Sequence, residues 1–514
     1  MGPRDSVRLD GTALTAAQVT ALAKGTARAV VAPQARDRLL KARQVAEQVV
    51  ALRPVYGHNT GVGANRTTVV PDDFAGRHGL RLLRSHSGGI GPRVPTEQVR
   101  AMLAVRLNQL LGAGTAISVG VVDRLEQALT SGHVPPVHTY GSVGTGDLSA
   151  LAELGLALAG DLPWQEGTGP APEPLQLTHW DALPLMSSGA LTIGQVALAA
   201  QELRDLLDRV PMVAALSLAA VQGSAEPYAE DVHARRPHWG ALRTAAQMRT
   251  LLGRPAWEPP LIQGPFGFRC LPQVHGAALD AMAALDRVLD VELNAACENP
   301  LLNLDAADYH HHGGFHQASL ALALDQLRLA LLGTAGLSTA RLGVLAEPDF
   351  TGLPPFLAQD RDGSSGIMIT EYAAQSALAD LRGAAQPSML GHAVLSRGVE
   401  EHASFASTAV RRLQEAIEAF RYVLACELLA AVRALRMRGL PPFGAPELTG
   451  LRRAAEAALA PSTADRKLTG DVHAAVALLG GEQWRIKRSA PPAHRPWPGD
   501  QRSWRPQPSP VPTD

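Results

Sequence analysis

The sequence predicts a mainly α-helical fold, with a long central helical bundle behind a mixed, turn-rich N-terminal region. Three observations predict it. Aromatic residues make up only 4% of the 514, and Ala and Leu are abundant, which favours close-packed helices because strands draw on β-branched and aromatic side chains. Beyond residue 190, apolar residues recur at three- and four-residue spacing over long stretches. Before it, short periodic stretches alternate with glycine-rich turns.

The elements follow in order. Residues 1–190 form the mixed region, punctuated by turns such as "YGHNTGVGANR" and "SHSGGIGPR". Residues 191–440 carry the bundle. "LTIGQVALAAQELRDLLDRV" has helical spacing, and in "VHGAALDAMAALDRVLDVELNAA" Leu279, Met282, Leu285 and Leu289 form one stripe. Stretches 317–345, 366–384 and 404–438 repeat the pattern, and successive amphipathic helices of this length pack as a bundle. The stripes read as core rather than as cofactor faces. Residues 441–488 read as a C-terminal helical segment. From 489, "SAPPAHRPWPGDQRSWRPQPSPVPTD" is crowded with proline and is expected to be disordered.

Composition narrows the function classes. Hydrophobic residues are 46% and charged ones 18%, enough for a large core, and the formal net charge is −1. Lys and Arg are spread along the chain, so no nucleic-acid partner is expected. No run approaches the roughly 20 apolar residues of a spanning helix. The start "MGPRDSVRLDG" lacks an apolar signal segment, so the expectation is a cytoplasmic protein without membrane contact. Cys270, Cys297 and Cys426 match no zinc or redox spacing and read as reduced thiols in or near the core.

Irregular segments, where loops usually carry function, interrupt the helical background at 55–63, 84–91, 141–148 and 262–273, and "RGVEEHAS" (397–404) opens the last long helix. "GSVGTG" offers free backbone N–H groups but lacks the Lys-Ser/Thr ending of a phosphate loop. In "HHHGGFH" (310–316), His312 and His316 have the spacing of helical metal ligands. Gly313 and Gly314 argue against a helix there, and no carboxylate stands at ligand spacing, so a loop tip without metal is expected.

Taken together and in this order, the segments resemble the aromatic amino acid ammonia-lyase family, most closely its histidine ammonia-lyases. The resemblance runs from about residue 10 to 440. "YGHNTGVG" is similar to the family's Y-G-[IV]-N-T-G-F-G, and "RAMLAVRLNQLLGAGTAIS", "RPHWGA", "FRCLPQVHGA", "VELNAACENPL" and "LSTARL" match further landmarks. The resemblance implies the family's mostly helical fold and a homotetramer whose sites are built from several subunits. It also implies an electrophile, 4-methylideneimidazol-5-one, made from the chain's own Ala-Ser-Gly. Among the site residues it implies, Tyr56 is catalytic and Arg269 binds the substrate carboxylate. His86 sets side-chain selectivity, Asn59, Gln263 and Phe315 belong to the substrate pocket, and Glu400 is the glutamate typical of histidine lyases.

Three positions depart from the pattern. The family's G-S-V-G-A-S-G-D-L is here Gly141-Ser142-Val143-Gly144-Thr145-Gly146-Asp147-Leu148, one residue shorter, and no Ala-Ser-Gly occurs in the chain. Either Thr145-Gly146 is a remnant with nothing to cyclise, or Gly144-Thr145-Gly146 stands in for the triad and yields a variant imidazolone. Phe266 replaces the tyrosine of Q-x-P-Y, and Ser188 replaces the asparagine of N-G-T, which braces the prosthetic group. The expectation is a lyase-type enzyme without the usual electrophile. It would use Tyr56 and Glu400 for acid–base elimination, isomerisation or cyclisation of a small carboxylate-bearing substrate that activates itself or carries a better leaving group. The alternatives are an ammonia-lyase or aminomutase using an electrophile from Thr145, and a non-catalytic binding protein.

Overall fold

The computed structural model describes residues 5–255, 257–359 and 363–481. The helices that position the site are α1 (Thr96–Leu110), α2 (Leu148–Ala159), α3 (Ala190–Ala220), α4 (Leu271–Asn294), α5 (Ala318–Ala346), α6 (Met368–Ala384) and α7 (Ala406–Arg438). At the centre α3 packs on α7. Helices α5 and α6 lie against α7, α4 lies against α5, and α1 lies against α3. Five of these cover the stretches predicted from periodicity.

The centre of the bundle also holds charge. The Glu427 carboxylate on α7 accepts from Arg341 Nε and Nη2 at 2.6 and 2.7 Å, from Ser338 Oγ at 2.6 Å and from Ser217 Oγ at 2.8 Å. Both members of the ion pair have no exposed side-chain surface. Every acceptor position is used, as a buried carboxylate requires. One residue thereby ties α3, α5 and α7 in register.

The N-terminal region is more helical than its turn-rich sequence suggests. It contains helices Pro33–Leu52 and Asp72–His86 besides α1. In Pro33–Leu52 the buried residues Ala35, Leu39, Ala42, Ala46 and Val49 fall three or four apart, a stripe diluted by Arg, Lys and Gln on the other face. The 84–91 segment is not one loop: a helix runs to His86 and a strand begins at Ile90. Among the described residues, strands occur as two-stranded ladders: β1 (Asp5–Leu9) with β2 (Ala27–Val31) in parallel, β3 (Ile90–Arg93) with β4 (His138–Tyr140), and β5 (Leu301–Asn303) with β6 (Asp308–His310), the last two antiparallel.

One expectation needs correction. Two segments, Ala182–Ala220 and Ala318–Ala346, are long and apolar enough to cross a membrane by length and composition. The first is 94% buried over its apolar window, and a helix buried on every side is apolar on every side. The second is 50% buried. The proline-rich tail from 489 lies outside the described residues. Cys270, Cys297 and Cys426 are free; Cys297 and Cys426 are buried in the core and Cys270 is half-buried.

Candidate active site

A cavity of about 800 Å3 opens where the ends of several elements meet. Its walls include Tyr56, Arg66, Leu148, Leu183, Phe315 and His316, together with Thr145, Gly146, Ser187 and Ser188, and Glu400, Glu401 and His402 close it. The sequence-predicted residues Tyr56, Thr145, Gly146, Ser188, Phe315 and Glu400 are thus brought together.

The loop carrying Thr145 is held from the start of α7. Ser404 Oγ donates to the Gly144 carbonyl at 2.8 Å, Phe405 N donates to Val143 O at 2.8 Å, and Ser407 Oγ donates to Ser142 O at 3.0 Å. Within the loop, Ser142 Oγ accepts from Gly144 N at 3.1 Å and donates to Gly146 O at 3.0 Å. Gly144 is in the left-handed region with φ +89°. A Cβ there would overlap Ser404 Oγ and lie 2.8 Å from Ala406 N and 2.9 Å from Phe405 N. Glycine is therefore demanded twice, by dihedral and by space.

Below the loop a polar network fixes Ser188. Its hydroxyl donates to Gln109 Oε1 at 2.6 Å, and Arg106 Nη1 donates to the same oxygen at 3.1 Å. Arg106 also pairs with the buried Glu298. The Ser188 carbonyl accepts from Asp147 N at 2.7 Å. Asp147, whose carboxyl is raised by burial, accepts from Thr192 N at 2.8 Å and Thr192 Oγ1 at 3.0 Å. Beside it, burial pushes the Cys297 thiol up to about 12, so it is no nucleophile at neutral pH.

Tyr56 is placed by its own loop. Its Oη accepts from Gly63 N at 2.6 Å, and its backbone N–H donates to His311 Nε2 at 3.2 Å. Burial raises the phenol above its ordinary value and the Glu400 charge adds to this, while the Gly63 N–H and the Arg66 charge oppose it. The loop is clasped to the Glu400 segment by Ala64 N donating to Ser396 Oγ at 3.1 Å. Glu400 sits in a bridged turn with Leu395, their backbones paired at 2.9 and 3.3 Å. This turn precedes α7, which begins at Ala406.

The histidine-rich segment is a loop. His312 Nε2 donates to Glu298 O at 2.7 Å and Nδ1 accepts from Gly314 N at 2.8 Å, so both ring nitrogens are engaged. His316 Nε2 and His402 Nδ1 are 3.1 Å apart, and burial with the neighbouring imidazole lowers His316. Among the described residues, no group of three or more His, Cys, Asp or Glu is placed to hold a metal ion.

Other predicted residues lie elsewhere in the chain. Asn59 Oδ1 accepts from Val55 N at 2.7 Å and braces the Tyr56 loop. His86 Nδ1 lies 2.9 Å from Leu82 O on the last helical turn, outside the cavity lining. Gln263, Phe266 and Arg269 form a separate outer patch: Arg269 Nη1 donates to Gln263 Oε1 at 2.9 Å and its guanidinium stacks on the Phe266 ring at 4.5 Å. Phe266 is 65% exposed and neighbouring Ile262 is 97% exposed. Sequence reasoning missed Arg66, His311, Asn299, Glu401 and His402 as lining residues. Each stands inside a segment that the sequence marks: Arg66 in "YGHNTGVGANR", His311 in "HHHGGFH", Asn299 in "VELNAACENPL", and Glu401 and His402 in "RGVEEHAS".

Residues 14–458 match the model of the aromatic amino acid lyase family. A histidine ammonia-lyase from Streptomyces coelicolor is 34% identical over 91% of this chain and 95% of its own length. Among solved structures, ergothionase from Treponema denticola, an ergothioneine-degrading enzyme, superposes with a TM-score of 0.86 at 28% identity, over 92% of this chain and 98% of that one. A histidine ammonia-lyase from Trypanosoma cruzi superposes with a TM-score of 0.84 at 27% identity, over 92% and 93%. The family normally uses a methylideneimidazolone prosthetic group. The match over most of the chain, on a helical fold whose cavity gathers Tyr56, Ser188, Phe315 and Glu400, makes this chain a lyase of the aromatic amino acid lyase family.

Proposed function

We propose that this chain eliminates an amine from a small carboxylate-bearing substrate by acid–base chemistry, without the methylideneimidazolone. The carrying observation is Gly144. If Gly144-Thr145-Gly146 stood in for Ala-Ser-Gly, the first position would accept a methyl group. The space around Gly144 refuses one. That supports aligning Gly144 with the glycine before the triad, leaving Thr145-Gly146 with nothing to cyclise. The Ser188 hydroxyl, committed to Gln109, and the phenyl ring of Phe266 lack the polar groups that the resemblance assigns to those positions. The residues present do not fit the group, and no step is routed through it.

Without an electron sink in the protein, the substrate must supply a good leaving group. A quaternary ammonium departs as a neutral tertiary amine and needs no activation. Ergothioneine, the compound degraded by the Treponema denticola relative, is a trimethylammonium betaine with an imidazole-type ring. A betaine of this kind suits a cavity lined by Glu400, Glu401 and the Phe315 ring. The Glu400 carboxylate takes the proton beside the ring, the freed electron pair forms the carbon–carbon double bond, and the carbon–nitrogen bond breaks with its pair on the amine. Tyr56, held as a phenol by burial and by Glu400, donates a hydrogen bond to negative charge developing on the substrate.

The outer patch of Gln263, Phe266 and Arg269 completes the cavity of a neighbouring copy in a homotetramer. Exposed Leu322, Leu329, Ile369 and Tyr372 on α5 and α6 support such an assembly, because an apolar helix face left in water is unfavourable.

Release of ammonia from an imidazole amino acid is the second reading, favoured by the histidine ammonia-lyase relatives. Incubating the purified chain separately with histidine betaine, ergothioneine and L-histidine, and measuring trimethylamine, ammonia and the unsaturated acid, separates the two. Trimethylamine release by a chain of unaltered mass is the expected result. Ammonia release from L-histidine by a chain lacking two waters of mass would overturn the proposal.

A further inference from the structure

Arg66 has no counterpart among the roles considered so far. It lines the cavity together with Tyr56, Gly63, Glu400 and Glu401. Its backbone is fixed: Arg66 N donates to Gly63 O at 3.2 Å, closing the turn at Gly63–Asn65. The same turn presents Gly63 N to the Tyr56 hydroxyl and Ala64 N to Ser396. Flanking pairs brace it, with Gly61 N donating to Thr68 O and Thr68 N donating to Asn65 O, each at 2.9 Å. The guanidinium itself is solvent-exposed and appears in no salt bridge or side-chain hydrogen bond among the described residues. Two carboxylates line the same cavity, yet neither pairs with it. Arg269, expected to grip the substrate carboxylate, is tied to Gln263 on the outer patch of its own chain.

From this placement we propose that Arg66 is an oxyanion-binding residue of the cavity, taking an acidic group of the substrate, carboxylate or sulfonate. A planar guanidinium with its donors uncommitted binds such a group through two parallel charge-assisted hydrogen bonds. The Tyr56 phenol of the same cavity adds a third donor, and the anion is then held in the cavity that Glu400 also lines. An acidic group at Arg66 therefore orients the substrate with respect to the base. The inference rests on the cavity being the substrate site and not on the reaction that follows, so binding alone tests it.

The experiment is calorimetric titration of the full chain with three probes: 3-(imidazol-4-yl)propionate, its ring 2-sulfonate, and uncharged 4-ethylimidazole. In R66M, acid-probe affinity is expected to fall by roughly ten- to hundredfold, while 4-ethylimidazole binds as before. R66K, which keeps the charge and loses the fork, recovers part of the loss. A loss on both acids assigns the carboxylate to Arg66, and a loss on the sulfonate alone assigns the ring substituent. The inference is overturned if R66M binds all three probes as the parent does, if it loses 4-ethylimidazole equally, or if the parent binds neither acid more tightly than 4-ethylimidazole.

Discussion

Two ways of writing Ala-Ser-Gly back into the loop should behave oppositely. G144A/T145S restores the triad at 144–146 without changing the length. The other variant replaces Thr145 by Ala-Ser, keeping Gly144 and lengthening the loop by one. In the first, alanine must adopt φ near +89°, which costs an L-residue roughly 1–2 kcal/mol. Its methyl must also displace Ser404 Oγ and the backbone nitrogens of Phe405 and Ala406, an overpacking of about 1–3 kcal/mol. The sum is a loss of about 2–5 kcal/mol. Adding S404G should recover only part of it, because the two backbone contacts remain. The assay is denaturant unfolding at fixed protein concentration, with intact mass spectrometry on the same samples. G144A/T145S is expected to be destabilised and to keep its full mass. The lengthened loop, combined with F266Y and S188N, is expected to keep its stability and to lose two waters. Cyclisation of G144A/T145S at parent stability would refute the reasoning, since it would place Gly144 inside the triad.

Further predictions follow from the same geometry. E427L leaves the Arg341 cation buried without a partner and should cost about 3–5 kcal/mol in unfolding experiments, most of it recovered in R341M/E427L. His58, 3% exposed against Trp180 and Tyr309, is lowered by burial to about 3 from 6.5. The unfolded chain therefore takes up a proton that the folded one refuses, and stability falls as pH drops below 6.5. Between pH 7 and 5 this contributes about 2 kcal/mol, and H58F should flatten the decline by that amount. E400Q should reduce turnover about 10²- to 10⁴-fold. Activity that needs the Tyr56 phenol should fade only above pH 10, since the phenol is raised from its ordinary value; Y56F should be slower and lack that fade. Mixing Y56F and R269M chains after dissociation should raise the activity above that of either variant alone if the outer patch serves a neighbouring cavity, and activity no higher than the unmixed variants would count against shared sites.

Much of the fold was legible because it is written in period. The stretches on α5 to α7 lie within two residues of the observed helices and the stripe of Leu279, Met282, Leu285 and Leu289 lies on α4, while α3 runs on to Ala220, ten residues beyond the stretch read from periodicity. Pro33–Leu52 was not read, because its buried positions are mostly alanines among Arg, Lys and Gln, a weak contrast. The Glu427 cluster was illegible for another reason: Ser217, Ser338, Arg341 and Glu427 converge from three helices, and no local spacing marks them. At the site, the motif residues Tyr56, Ser188 and Glu400 were located because each stands in a recognisable segment. Arg66 and His402 face the cavity only through the turn at 63–65 and the bridge at 395–400. Gln263 and Arg269 show the limit on the other side. A residue that matches a site motif can lie outside the cavity of its own chain, as Gln263 and Arg269 do.

The retained and altered positions divide by chemical role. On the proposed function, Tyr56, Glu400 and Arg269 exchange protons or hold an anion, tasks that hydrogen-bond geometry and charge perform on any substrate of the right shape. Thr145, Ser188 and Phe266 stand where the family resemblance places the parts that make and brace an electrophile. The Ser404–Gly144 and Ser188–Gln109 contacts fit closely around the Gly144–Gly146 loop. The loop is packed as a finished wall, with Gly144 locked behind it and Thr145 facing the cavity. The demand for activation then falls on the substrate, and the amine it releases becomes the measurement that decides. A neutral tertiary amine as product would support the proposed base, phenol and cation, whereas ammonia would support the second reading.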